Sequence, residues 1–205
     1  RGRQTHGGMP WGGIDPIVTS AQIINGFQAI VSRQADLTTS PAVVTVGTIH
    51  GGVRFNIVPD SVTMTGTVRV FDPAMRDDIK ARMKRTAEAI ASAAGATATL
   101  RVQGDGNPVT YNDAALTERI RPVVERVAGR DRTIAGQVTT TAEDFSWFQQ
   151  KVPGVYMFLG VTPPSEDLKA VARNHSPRFF ADEGAMPTGV RLLASLAADY
   201  LAMTK

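Results

Sequence analysis

An asparagine in a glycine-rich turn, Asn56, and an arginine on an alternating stretch, Arg69, are the residues of this sequence that most invite chemistry. Both fall within GTIHGGVRFNIVPDSVTMTGTVRVFD, residues 47 to 72. An amide and a guanidinium are hydrogen-bond donors to carboxylates and oxyanions, the guanidinium through a planar fork. Neither is a practical general base or nucleophile at neutral pH, so the pair reads as a device for gripping a substrate.

The histidines each admit two readings. His175 lies in RNHSPRFFADE, a polar loop between an apolar run and the last helical stretch. There it is either a neutral imidazole ligand to a metal, with Asp182 or Glu183 close by, or a loop residue that caps the helix or faces water. His6 lies in RQTHGGMPWGG, where Gly7 and Gly8 allow close backbone approach to a ligand; the alternative is a surface turn. His50, before Gly51-Gly52, reads as structural. The adjacent Glu143-Asp144 pair lines a cleft or simply complements the dipole of a short helix that it begins. GxSxG and P-loop patterns are absent, and the GxG at Gly104 to Gly106 lacks the strand and helix of a dinucleotide site. With no HxD or HxxEH cluster, a complete catalytic metal site is not expected within these residues.

Positioning such groups takes a sizeable fold. The chain has 205 residues, 42% hydrophobic and 20% charged, enough for one large or two small domains. The net charge is +3 and basic residues are scattered without interleaved aromatics, which argues against nucleic acid as a partner. No apolar stretch approaches the ~20 residues of a membrane span, so a soluble protein, cytoplasmic or periplasmic, is expected. The absence of cysteine excludes disulfides, thiolate metal sites and cysteine nucleophiles. The chain starts on Arg1 with no signal-like segment, and the expectation is that it begins inside a longer polypeptide.

Asp15-Pro16 and Asp72-Pro73 each combine an N-cap with proline at the first helical position. The first predicts a helix to about Arg33 with a stripe of Ile17, Ala21, Ile24, Gln28 and Val31, widened by Ser20 and Phe27. The second predicts one along Met75, Ile79, Met83, Ala87 and Ile90, ended by Gly95. The β-branched run after Pro41, the alternating residues 61 to 71 and residues 96 to 103 read as strands. With a stub at residues 1 to 6, the order is β-α-β-β-α-β. That is a ferredoxin-like four-stranded antiparallel sheet with two helices on one face. Residues 104 to 113 then read as a crossing between domains. Beyond it come a helix from about Ala114 to Val127 broken or kinked at Pro122, a Thr-rich segment 138 to 141, and the short helix with Glu143-Asp144-Phe145. An apolar strand (155 to 161), a long loop (162 to 182) and a final helix with Val190, Leu193, Ala197 and Leu201 in register complete part of an α/β domain.

THGGMPWGGIDPI, AVVTVGTIHGG, FNIVPD and GTVRVFD together resemble the lid, or dimerisation, domain of amidohydrolase-type metallopeptidases, the aminoacylase/carboxypeptidase family. The branch resembled is that of hippurate and indole-acetyl-amino-acid hydrolases. AEDFSWF, PGVYMFLG and HSPRFFADEGAMPTGV resemble the C-terminal part of the same family's zinc-peptidase catalytic domain. The resemblance implies an inserted lid over residues 1–106 and a C-terminal catalytic portion over 107–205. It implies His175 as a metal ligand, His6 as the lid histidine that polarises the scissile carbonyl, Asn56 and Arg69 as substrate contacts, and Glu143 beside the cleft. Two divalent ions (zinc, or manganese, cobalt or nickel), a small N-acyl amino acid or peptide substrate and a homodimer through the lid are implied for the complete enzyme. The other metal ligands and the catalytic glutamate of the family lie in a segment without counterpart here, so an inactive portion is expected. The alternative expectation is a non-catalytic ferredoxin-like module for dimerisation or small-ligand binding.

Overall fold

The computed structural model describes residues 1–104 and 106–203. The chain divides into two compact units, one of residues 1–106 with 139–142, the other of residues 107–138 with 143–205. Asp105, inside the expected crossing, lies outside the described residues.

The first unit is built on two helices that start as the sequence dictates. In α1 (Pro16–Arg33) the Asp15 carboxylate accepts from the Ile17 and Val18 amides at 2.8 and 3.2 Å. In α2 (Pro73–Ala93) Asp72 does the same for Ala74 and Met75 at 3.2 and 3.0 Å. These caps occupy amides that have no partner inside the helix. α2 ends in a Schellman motif: Gly95, at φ +72°, donates to Ser92 O, and Ala96 to Ala91 O. The buried face of α1 is Thr19, Ser20, Ile23, Phe27 and Ile30, one residue round from the expected stripe. Ile17 and Val18 sit in the capped first turn and are exposed, so the apolar positions nearest the cap do not define the inner face.

Strand β2 (Ala42–Gly51) pairs antiparallel with β4 (Val62–Val70), from Ala42 opposite Val70 to Gly51 opposite Val62, with a bulge between Val46 and Thr48. A short pair, β1 (Thr5–His6) with β3 (Ile57–Val58), makes a second two-stranded sheet. β3 directly follows Asn56, in the stretch read from the sequence as a glycine-rich turn. α1 and α2 pack together, and Ile23, Phe27, Ile30, Ile79, Met83 and Ala87 form one core with Ala42 and Val44 of β2. Met64, Val68 and Val70 of β4 lie against it, which leaves Thr63, Thr65, Thr67 and Arg69 on the other side of the sheet. Ile30 and Ile79 are fully buried. Ile79→Ala is expected to cost about 2–5 kcal/mol, read as a lowered midpoint in denaturant unfolding.

The expected strand 96–103 is not part of either sheet. Its burial alternates as a strand's does: Ala96, Ala98 and Leu100 point inward, Thr97 and Thr99 outward. Arg1 and Thr97 exchange both backbone hydrogen bonds, at 2.7 and 2.9 Å. Residues 98–103 have no ladder partner among the described residues. Gly2 donates to Asp60 O at 2.8 Å, which sets the N-terminal segment between residue 97 and the β3 side.

The second unit holds α3 (Ala114–Ala128), α4 (Ser146–Gln149) and α5 (Met186–Met203). α3, capped by Asp113, runs through Pro122 without interruption. It packs on α5, with Arg126 bonded to Asp199 at 2.7 Å and the Arg119 guanidinium 4.9 Å from the centre of the Tyr200 ring. The Thr-rich segment 138–141 and the expected strand 155–161 have no ladder partners among the described residues. Phe158 is 69% exposed, and of the expected α5 stripe Val190, Leu193 and Leu201 are 65–70% exposed. Residues 155–161 and α5 thus carry apolar side chains that stand exposed.

Candidate functional site

His6 and Asn56 are neighbours. β1–β3 pairing sets His6 opposite Ile57, and the Gly7 amide donates to Asn56 O at 2.8 Å. A Cβ on Gly7 would lie 3.0 Å from that carbonyl oxygen, so glycine is what lets the two backbones close. Both side chains are on the surface. The turn after His6 is tied by Met9 N–H to His6 O at 2.8 Å and by the Thr5 hydroxyl to Met9 O at 3.0 Å. Trp11, Val53 and Phe55 stand exposed beside this corner in the chain.

His50 lies on β2 opposite Thr63. With Gln4, Arg54, Ile57, Asp60 and Thr63 it lines an open hollow of about 410 Å³, which places the β1–β3 corner at the Thr63 end of the main ladder. Arg69 is half-buried on the open side of β4, opposite Val43. From Thr63 to Arg69 the strand advances ~20 Å at ~3.3 Å per residue. His6 and Asn56 therefore occupy one end of the sheet and Arg69 the other. The run that joins Asn56 to Arg69 in sequence does not join them in space.

Glu143 and His175 belong to the second unit. Glu143 precedes α4 instead of lying in its first turn, which removes the helix-dipole explanation for the carboxylate pair. Its carbonyl accepts from the Ser146 hydroxyl at 2.6 Å, and Ser146 is fully buried. Its carboxylate lies close enough to the Tyr156 hydroxyl to act on it. Tyr156 is held in turn by Asn112, whose amide accepts from Tyr156 N–H at 2.7 Å and donates to Tyr156 O at 2.9 Å. The ring packs against Phe145 and Phe158. Burial, then the neighbouring Glu143 carboxylate and the charge of Asp144, push the Tyr156 phenol above its ordinary range. The phenol thus keeps its proton until pH rises through the elevated value. Spectroscopic titration is expected to find Tyr156 ionising above ~10, and Glu143→Gln should bring it part of the way down.

Sequence reasoning missed Tyr156 because nothing in its spacing from Glu143 marks the pair. They meet through the Asn112 clamp, which only the fold supplies. His175 is exposed and has φ +71°, a left-handed conformation uncommon outside glycine and enriched at functional turns. The carboxylate that caps the following turn is Asp182, bonded to Gly184 N–H at 2.9 Å, so His175 is not the cap. Among the described residues no group of three or more His, Asp or Glu side chains is placed to hold a metal ion. One imidazole is too few ligands for a metal centre.

Residues 5–199 match peptidase family M20/M25/M40. The chain is 35% identical over 199 residues to thermostable carboxypeptidase 2 of Saccharolobus solfataricus, covering 97% of this chain and 49% of that protein. It is 35% identical over 203 residues to an IAA-amino acid hydrolase of Arabidopsis thaliana, covering 98% and 46%. It is similar to the crystal structure of a dinuclear metal-binding M20 peptidase from Bacillus subtilis, with a TM-score of 0.62 and 29% identity over 92% of this chain and 47% of that one. The chain spans about half the length of the curated relatives it matches. From its sequence and its fold alike, the chain belongs to peptidase family M20/M25/M40.

Proposed function

We propose that this chain is the lid and C-terminal catalytic portion of a metal-dependent amidohydrolase that cleaves the amide bond of N-acyl amino acids or small peptides. The observation that carries this reading is the His6–Asn56 corner, two hydrogen-bonding side chains fixed together on an open surface by the Gly7–Asn56 backbone bond. The first unit is the lid, with the ferredoxin-like plan in which the N-terminal segment lies between residue 97 and β3 and both helices cover one face. The second unit is part of the catalytic domain. His175 contributes one ligand to a centre of two divalent ions, zinc or a similar metal, and the remaining ligands and the general base come from outside these residues. The exposed apolar faces of α5 and residues 155–161 support a missing layer over the second unit.

During amide hydrolysis the carbonyl oxygen gains negative charge as the carbon becomes tetrahedral. His6 and Asn56 donate hydrogen bonds to that oxygen, where they stabilise the transition state more than the ground state. Arg69 binds the carboxylate of the amino-acid half through its fork. The ~20 Å between these groups exceeds the span of such a substrate, given ~3.3 Å per strand residue. In this reading a symmetric dimer resolves the separation: His6 and Asn56 of one lid and Arg69 of the other face the same substrate. The outer edge of β2, which among the described residues pairs only with β4, supports the lid as the place of association.

Metal content and hydrolysis of N-acyl amino acids, measured on the 205-residue chain and on the complete protein, test the reading. The complete protein is expected to hold metal and turn over, and the chain alone to do neither. Stoichiometric metal with full activity in the chain alone would overturn the assignment as a portion, and an inert, metal-loaded complete protein would overturn the activity.

A further inference from the structure

Every amide in the turn after His6 has a partner, and one of those partners is the histidine ring. Gly7 N–H bonds to Asn56 O, Met9 N–H to His6 O, and Gly8 N–H to His6 Nδ1 at 3.0 Å. A ring nitrogen that accepts a hydrogen bond carries no proton, so the neutral imidazole holds its single proton on Nε2. Turning the ring over would set the carbon Cδ2 against the Gly8 amide, which would then lose its acceptor. The bond thus selects both the ring orientation and the tautomer. The close approach favours glycine at position 8, because a Cβ there would come within 3.3 Å of Nδ1, tighter than an ordinary contact.

We propose that the Gly8 backbone amide is a positioning group that holds His6 as the Nε2–H tautomer, so that His6 presents only a donor to the carbonyl oxygen of the substrate. The opposite tautomer would face that oxygen with a lone pair and repel the charge developing on it. The catalytic meaning rests on the proposed function above; the tautomer itself does not. A backbone amide is also a setting that side-chain replacement elsewhere in the site leaves untouched, since it depends only on the turn tied by Gly7 and Met9.

The test is long-range proton–nitrogen NMR of the full chain with ¹⁵N-labelled imidazoles, the His6 signals being assigned by their loss in His6→Gln. At a pH where the ring is neutral, His6 is expected to show an unprotonated Nδ1 and a protonated Nε2. The excess of that tautomer should be roughly tenfold larger than in a blocked histidine in the same buffer, as for a hydrogen bond of ~1.4 kcal/mol. Gly8→Pro, which removes the N–H, should return the pattern to that of the blocked histidine. A wild-type His6 that already matches the blocked histidine, or one carrying its proton on Nδ1, would overturn the proposal, as would an unchanged pattern in a folded Gly8→Pro chain. The wild-type spectrum decides the matter even where that variant does not fold. Failure here with an active complete protein would remove the tautomer device and leave the amidohydrolase reading intact.

Discussion

A one-to-one mixture of His6→Ala and Arg69→Ala subunits of the complete protein is expected to recover about a quarter of wild-type activity on an N-acyl amino acid, from two parents that are each well below it. Each variant alone lacks one half of every site. Loss of a donor to the developing oxyanion costs on the order of 10²–10³ in kcat, so the His6→Ala parent should be nearly silent. Random reassociation makes about half of the dimers mixed. In a mixed dimer one site receives the intact His6 of one subunit and the intact Arg69 of the other, while the second site has neither. One site in two, in about half the dimers, gives the quarter. If a single lid supplied both residues to one substrate, no mixed dimer would have an intact site and activity would stay at background. The ~20 Å between the Thr63 and Arg69 registers, at ~3.3 Å per residue, is the reason for expecting recovery.

Arg69→Ala should discriminate among substrates by the group it no longer binds. For an N-acyl amino acid with a free carboxylate, kcat/KM is expected to fall roughly 10- to 150-fold, the worth of a charge-assisted hydrogen bond of ~1.5–3 kcal/mol. The methyl ester of the same compound should lose no more than about threefold, because an ester offers no charge to pair. Arg69→Lys should fall between, keeping the charge and losing the fork. Kinetics with the acid and its ester on the three proteins separate these cases. Equal losses on acid and ester would sink the assignment of Arg69 to the carboxylate.

Much of the first unit could be read from the sequence because its signals are local. The two Asp-Pro caps, the alternation from Val62 to Val70 and the glycine stop at Gly95 are all decided within a turn or a strand. The face of α1 is displaced by one residue from the expected stripe because Ile17 and Val18, nearest the cap, stand off from the core. What was not legible was pairing. Residues 96–103 and 155–161 have strand composition, but a strand is defined by its neighbour, and among the described residues neither stretch has a ladder partner.

The site divides along the same line. Each of His6, Asn56 and Arg69 could be picked out by type and setting, but their grouping could not. The run from Gly47 to Asp72 made Asn56 and Arg69 look like one device, whereas the β1–β3 register joins Asn56 to His6 and the β2–β4 register carries Arg69 away. Tyr156 and the Gly8 amide were invisible for a related reason. Their importance lies in what they touch, Glu143 and the His6 ring, and no pattern of residue types records a contact.

The exchange of backbone bonds between Arg1 and Thr97 has a practical side. Chain placed ahead of Arg1 leaves that pair antiparallel, alongside residues 98–103. The last few residues of a purification tag attached there would be held against them. A cleavage sequence set directly before Arg1 would be cut slowly, since proteases need their substrate loose and accessible. The same sequence moved out by a spacer longer than that strand should be cut at the usual rate.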